Sequence, residues 1–463
     1  MPDLHGLGLS EIAAALRQGD LTAVAVTHWF LDRIERFDPT LQSYIHVAKQ
    51  EALEAATLAD RKRAAGGDLG LLHGVPIAIK DVIAVAGMPY TGGSLTRAHM
   101  IAETDAPSVR DLRLAGVIIL GKLSTHELGI GRSQWSGPFP TGRNPWNISR
   151  VTTGSSSGAG AAVAGGLAAG ALGTDTAGSV RLPSAHCGLT GLKPTFGRVS
   201  TEGMLAMCPS LDHVGPVAHS ATDVRLLMKA LTGSAQYEGE PAPMRGAKIG
   251  VLRRYYGQIQ QVDGDVLGPF ECMLDVLRDQ GVHFVDVDLP LLGGAEAMFQ
   301  PYMAESYEFH HELLRASPEK FEIGTRSQLY LGALISAADY LAAEQARRSL
   351  ATQVDSLLAD CIALIHPGQP VAAPVYSEAL PKEVISQRVR FTVPWNLTGH
   401  PALTFPTGFA TDRLPVSAQL VGRRNDEATL LDIAEAFQGA TSLHRMRPNE
   451  ASWTGSPLGD AGA

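Results

Sequence analysis

Only four cysteines occur in the 463 residues, Cys187, Cys208, Cys272 and Cys361, and no two of them form a CxxC pair. That spacing argues against a disulfide framework and a cysteine-held zinc site, and it fits a reducing cytoplasm. Basic charge is also short, with 38 Lys and Arg against 47 Asp and Glu and a formal net charge of −9. Such a balance leaves no electrostatic footprint for nucleic acid or an anionic membrane, so neither is an expected partner. The N-terminal stretch MPDLHGLGLSEIAAALRQGD has no basic region leading into an apolar core and does not read as a signal peptide. Long apolar runs are missing too. The longest, Ala159 to Gly173, consists mainly of Ala and Gly and is too short and weakly apolar to span a bilayer. Its small side chains suit a helix packed closely against a sheet.

Several catalytic signatures are absent as well. The 15 histidines include no HExxH, and His310-His311 read as solvated or packed, so no metal and no cofactor are expected. Gly158 and Gly160 begin a dinucleotide-like loop, but Val163 stands where the third glycine belongs and no GK[ST] follows.

What is present is 45% apolar and 18% charged residues, the balance of a globular chain with a large core. Ser10 with Glu11 opens a helix that should stop at Gly19, and Thr22 caps a second that should end at Pro39. Short apolar runs bounded by Gly or Pro read as buried strands at Val75–Ile79, Val117–Leu120, Ile249–Leu252, Phe284–Val287 and Ile362–Ile365. Ala402–Phe405 and Val416–Val421 add two more, followed by a helix capped by Asn425 and stopped by Gly439. Strands alternating with helices imply an α/β fold, a central mixed and largely parallel sheet flanked by helices. One domain over residues 1–463, with its core at about 7–438, is expected to carry a helical insertion at about 295–359. The Gly-, Ser- and Ala-rich end at 448–463 reads as a flexible tail.

Three pieces carry chemistry: Gly74 to Asp81 (GVPIAIKD), Gly154 to Gly158 (GSSSG) and Gly173 to Ser179 (GTDTAGS). A serine hydroxyl is a poor nucleophile near neutral pH unless a neighbour takes its proton. Lysine can do so when burial disfavours its ammonium form, and Val75, Ile77, Ala78 and Ile79 are apolar surroundings of that kind for Lys80. The GxSxG signature of a serine–histidine–aspartate hydrolase is missing around Ser179.

With these motifs the sequence resembles the amidase signature family, whose members hydrolyse amides with a Ser, a cis-Ser and a Lys. The resemblance runs from about Leu7 to about Gln438 and is densest from Gly154 to Phe196, with further matches at Arg143–Trp146, Gly191–Thr195 and Phe391–Pro401. By position it implies Ser179 as nucleophile, Ser155 as bridging serine and Lys80 as base. The backbone N–H groups of Thr176, Ala177, Gly178 and Ser179 would form the oxyanion hole. Ser156, Asp175 and Arg181 would support them. The chain departs from the family at Thr153 and Ala177, both glycine in the usual pattern.

The implied reaction is hydrolysis of a carboxylic amide C–N bond through an acyl-enzyme, releasing ammonia or an amine. Gly131, Arg132, Ser133 and Trp135 occupy a pocket segment of the family. An indole wall and a guanidinium point to a bulky or aromatic small-molecule amide. The alternative is the glutaminase subunit of a tRNA-dependent amidotransferase, although Arg132 and Trp135 depart from the small or hydroxyl residues that resemble glutamine recognition. Oligomeric state is not written in the sequence; a homodimer is the commonest state by base rate.

Overall fold

Pro76 and Lys80 bound a strand, β2 (Pro76–Lys80), whose five side chains are all buried. The helices Ala23–Leu41 and Ser157–Ala164 pack against it. A computed structural model describes residues 4–67, 69–259, 261–377 and 389–453 of the chain. The remaining strands are β1 (Tyr44–Val47), β3 (Ile118–Leu123), β4 (Gly170–Asp175), β5 (Thr190–Lys193) and β6 (His213–Ala218). They are followed by β7 (Lys248–Val251), β8 (His283–Asp286), β9 (Ala363–Pro367), β10 (Ala402–Phe409) and β11 (Pro415–Gly422). All eleven join one sheet in the order β1-β3-β2-β4-β6-β5-β10-β11-β9-β7-β8.

The sheet is mixed. Parallel pairing is confined to two blocks, β3-β2-β4 and β9-β7-β8. The other six pairings are antiparallel, so the expectation of a largely parallel sheet is corrected. The missed strands explain the difference. β4 is hidden in Gly- and Ala-rich sequence, β5 is only four residues long, and β6 contains Pro216. The run from Ala159 to Gly173 therefore supplies a helix in its first part, Ser157–Ala164, and the start of β4 in its second. That helix is wholly buried and packs tightly. A Cβ on Gly158 would collide with the Ser43 carbonyl oxygen.

Three helix limits also differ from expectation. The second helix, Ala23–Leu41, carries Pro39 within its last turn and ends at Gln42 in the left-handed conformation. Pro39 removes one hydrogen bond there, and neighbouring packing of Phe37 and Leu41 keeps the turn helical. Gly439 lies inside the last long helix, Glu427–Ala440, and Asp426 rather than Asn425 occupies its cap position. Residues 295–360, where a helical insertion is expected, form the helices Ala295–Phe299, Met303–Ala316, Ile323–Gly332 and Ala337–Asp360. Part of the expected flexible tail is docked: Trp453 is 2% exposed, and its indole N–H donates to the Pro145 carbonyl at 2.8 Å. Residues 454–463 of that tail lie outside the described residues. Among the described residues no helix is long and apolar enough to cross a membrane.

Candidate active site

β2 ends at Lys80 and its parallel neighbour β4 ends at Asp175, so both chains leave the sheet at the same edge. Carboxyl ends of parallel strands are where α/β folds gather functional loops. The loop after β4 carries Ser179, and the Ser156 N–H donates to the Ser179 carbonyl at 3.2 Å, joining the two serine loops. The Gly154–Ser155 peptide is cis. Lys80 Nζ donates to Ser155 Oγ at 2.7 Å and to Thr174 Oγ1 at 2.8 Å.

Lys80 is fully buried, and burial lowers its pKa to about 7 against the opposing pull of Asp175 and Asp212. Its sequence neighbour Asp81 is not its partner. Asp81 pairs instead with buried Lys122 at 3.1 Å and accepts the Thr91 N–H at 2.9 Å. Among the described residues Lys80 therefore has hydroxyl partners and no carboxylate contact, the condition in which a lysine yields its proton near neutral pH.

Asp175 and Arg181 form a buried pair, with Arg181 Nε and Nη2 each 2.9 Å from the carboxylate. Arg181 also donates to Gln419 Oε1 at 2.8 Å, Asn396 Oδ1 at 2.6 Å and the Thr392 carbonyl at 2.9 Å. Burial disfavours the ionised carboxyl, but Arg181 outweighs it and holds Asp175 well below the usual carboxylate range. Ser156 Oγ donates to the Thr174 carbonyl at 3.2 Å, tying the first serine loop to β4.

One expected oxyanion donor is already engaged. The Gly178 N–H donates to Asp175 Oδ1 at 2.8 Å, because the carboxylate closes the turn beneath it. That leaves the N–H groups of Thr176, Ala177 and Ser179. Gly178 has φ 119°, and a Cβ there would collide with Thr392 Oγ1, so glycine is required at that position. Ala177 is not among the residues of positive φ, which is why alanine fits in place of the family's glycine. Thr153 does adopt a left-handed φ of 63°, the conformation that a glycine would take without strain.

The chain matches the family described as Amidase over residues 25–431. It belongs to the amidase family. A glutamyl-tRNA(Gln) amidotransferase subunit from Chloroflexus aggregans is 35% identical, with 97% of this chain and 100% of the relative aligned. A crystal structure described as an amidase superposes with a TM-score of 0.86 at 29% identity, covering 94% of this chain and 99% of that one. Peptide amidase from Stenotrophomonas maltophilia gives a TM-score of 0.78 at 28% identity, covering 94% and 97%.

In this amidase-family chain the segment from Gly131 to Trp135 runs beside the serine loop. His126 donates its N–H to the Ser155 carbonyl at 3.1 Å, and its Nε2 lies 3.2 Å from Ser133 Oγ. A Cβ on Gly129, two residues before this segment, would sit 3.7 Å from Ser155 Oγ, so the chain just ahead of it borders the serine. A Cβ on Gly131 would meet Thr325 Oγ1 of the insertion at 3.0 Å. Arg132 lies against Glu322, which begins the insertion helix Ile323–Gly332. Trp135 does not offer a bare indole. Its ring stacks on Tyr376 at 4.0 Å, and the Arg143 guanidinium lies 4.3 Å from its centroid.

Sequence reasoning missed Thr174, Asp212, Thr392, Asn396 and Gln419. Thr174 lay within the GTDTAGS motif and was legible as a third hydroxyl. The others reach the site from other strands and turns, and only the fold joins them to it. Among the described residues no group of three or more His, Cys, Asp or Glu side chains is placed to hold a metal ion.

Proposed function

We propose that the chain hydrolyses a carboxylic amide through an acyl-enzyme on Ser179, with Ser155 and Lys80 as the proton relay. The observation that carries this reading is the 2.7 Å contact from buried Lys80 to Ser155 Oγ, at the strand edge where the Ser179 loop emerges. Neutral Lys80 takes the proton that Ser155 relays as Ser179 attacks the amide carbonyl. The developing oxyanion is met by the N–H groups of Thr176, Ala177 and Ser179, donors that need no reorganisation during reaction. The Lys80 ammonium then protonates the leaving amine or ammonia, and water hydrolyses the acyl-enzyme. The helical insertion forms part of the substrate side through Thr325 and Glu322. All four cysteines are free, which fits action in a reducing cytoplasm.

A stand-alone hydrolase of bulky or aromatic amides draws its support from Arg132 and Trp135, and that support is weakened because the Trp135 ring is taken up by Tyr376 and Arg143. The full-length similarity to an amidotransferase subunit favours a second reading, release of ammonia from glutamine within a multi-subunit complex. Ile323, Leu334 and Leu341 on the insertion are 75%, 77% and 66% exposed, apolar surface that a companion protein would cover. Ammonia release from glutamine, measured for the chain alone and with candidate companion proteins, decides between these readings. A panel of aliphatic, aryl and peptide amides serves as the comparison. For the chemistry common to both, reaction with phenylmethanesulfonyl fluoride followed by peptide mapping is expected to label Ser179. A label on Ser155 or Ser156 would overturn the assignment.

A further inference from the structure

Asp212 is a buried carboxylate that the mechanism above does not use. It is 1% exposed, lies just before β6, and forms no ion pair among the described residues. Its oxygens accept the Met207 N–H at 2.9 Å, the Cys208 N–H at 3.2 Å and the hydroxyl of Thr176. Thr176 is the first residue of the oxyanion loop after β4, so this one carboxylate ties that loop to the turn at 207–208. The turn is anchored in its own right. Ser306 Oγ of the insertion donates to the Met207 carbonyl at 2.6 Å, and the Ser210 N–H donates to Glu305 Oε2 at 2.9 Å. The Met207 Cβ and Ser155 Oγ both lie within 4.0 Å of the point that a Gly129 Cβ would occupy, so the turn borders the serine as well.

We propose that Asp212 is a positioning residue of the catalytic centre, fixing the oxyanion loop through Thr176 and supplying negative potential to Lys80. The inference rests on the Ser179–Ser155–Lys80 reading above. Two carboxylates act on Lys80, Asp175 and Asp212. Asp175 is neutralised by Arg181, with buried Lys193 adding to that effect, and Asp81 is taken up by Lys122. Among the described residues Asp212 meets neutral hydrogen-bond donors and no cation, and burial pushes its carboxyl up to about 6, so it carries its charge only above that pH. An unpaired carboxylate is costly to bury, and the site keeps it where both the base and the oxyanion loop lie within reach.

The test follows sulfonylation of Ser179 by phenylmethanesulfonyl fluoride, read as the rate of mass gain across pH. In that step the serine oxygen bonds to sulfur, fluoride leaves and the serine proton passes to the Ser155–Lys80 relay. Thr176→Val removes the hydroxyl tether, and because that hydroxyl also favours the ionised carboxyl it is compared with the wild type at pH 9, where Asp212 is charged in both. It is expected to slow labelling on the order of 10-fold or more at that pH. Thr176→Ser restores the tether and is expected to react at nearly the wild-type rate. Asp212→Asn removes tether and charge together, so the rate falls and the acid limb moves to lower pH. A limb at the wild-type position in Asp212→Asn, or full reactivity in Thr176→Val, overturns the proposal. Should Asp212→Asn fail to fold, the Val and Ser pair alone decides the tether, and equal rates in those two variants overturn it. Failure of the underlying reading looks different. There the wild type would label away from Ser179, or Lys80→Met would label at the wild-type rate.

Discussion

Lys80, the base of the proposed mechanism, also burdens the fold. Its ordinary pKa of 10.5 falls to about 7 on burial, so the folded chain releases a proton that the unfolded chain holds between those values. Raising the pH through that window therefore favours folding, and the full cost applies below about pH 7. Lys80→Met is expected to abolish activity and to raise stability by a few kcal/mol at neutral pH, on the order implied by the shift. Thermal melts at pH 7 and pH 10 check this, since the gain should shrink at the higher value. For the wild type, kcat/KM should climb as the pH rises through about 7, because only the neutral amine accepts a proton. Thr153 makes a smaller point. A β-branched residue held at φ 63° is strained, and Thr153→Gly is expected to stabilise the fold by about 1 kcal/mol, as read by chemical denaturation. The strain was not legible in sequence, where only a departure from the family pattern could be seen. By contrast Lys80, Ser155 and Ser179 stood out because each ends or follows a compact Gly-rich or apolar motif.

At the scale of elements, the sequence revealed strands with continuous apolar runs and concealed those built from small or polar residues. β2, β3, β7 and β9 belong to the first kind, and β4, β5 and β6 to the second. The concealed strands flank the loop that carries Ser179, so its neighbour Asp212 stayed out of view, and Asn396 was visible only as part of the Phe391–Pro401 match. The insertion shows how an element can carry a conditional contact. Glu322 begins the helix Ile323–Gly332, and its N–H donates to Glu127 Oε2 at 2.9 Å. Burial and the facing Glu127 push its carboxyl up to about 8, with Arg132 opposing. Stability from this group is greatest below its ordinary value of 4.5 and is lost as the pH rises towards 8. Glu322→Gln mimics the protonated form, so its advantage over the wild type should be small at pH 5 and larger at pH 8.5. Equal melting differences at both values would count against this contact.

Across the whole molecule, the last described segment packs on the second helix, Ala23–Leu41. Trp453 packs edge-on against Phe37 at 5.3 Å, and its carbonyl accepts the Thr40 hydroxyl at 2.9 Å. Arg33 joins Glu450 at 2.6 Å, closing the same contact. Composition alone made this segment look like a loose end, because one tryptophan among Gly, Ser and Ala does not reveal the pocket that receives it. Trp453→Ala is expected to destabilise the fold by about 3 kcal/mol, the scale for losing a buried aromatic side chain, with KM unchanged. Unfolding curves and steady-state kinetics together test that separation.

The bonds of Arg181 have a further consequence, in the order of synthesis. Its guanidinium donates to the Thr392 carbonyl 211 residues further along the chain and to Gln419 238 residues further along. β5, just past that arginine, pairs early with β6 but likewise waits for β10 on its other side. While the ribosome is still adding those segments, Lys80, Ser155 and Ser179 have all been translated, and the nucleophile loop lacks its lock. A nascent chain released before residue 392 would carry Lys80, Ser155 and Ser179 without the Arg181 bonds that hold their loop.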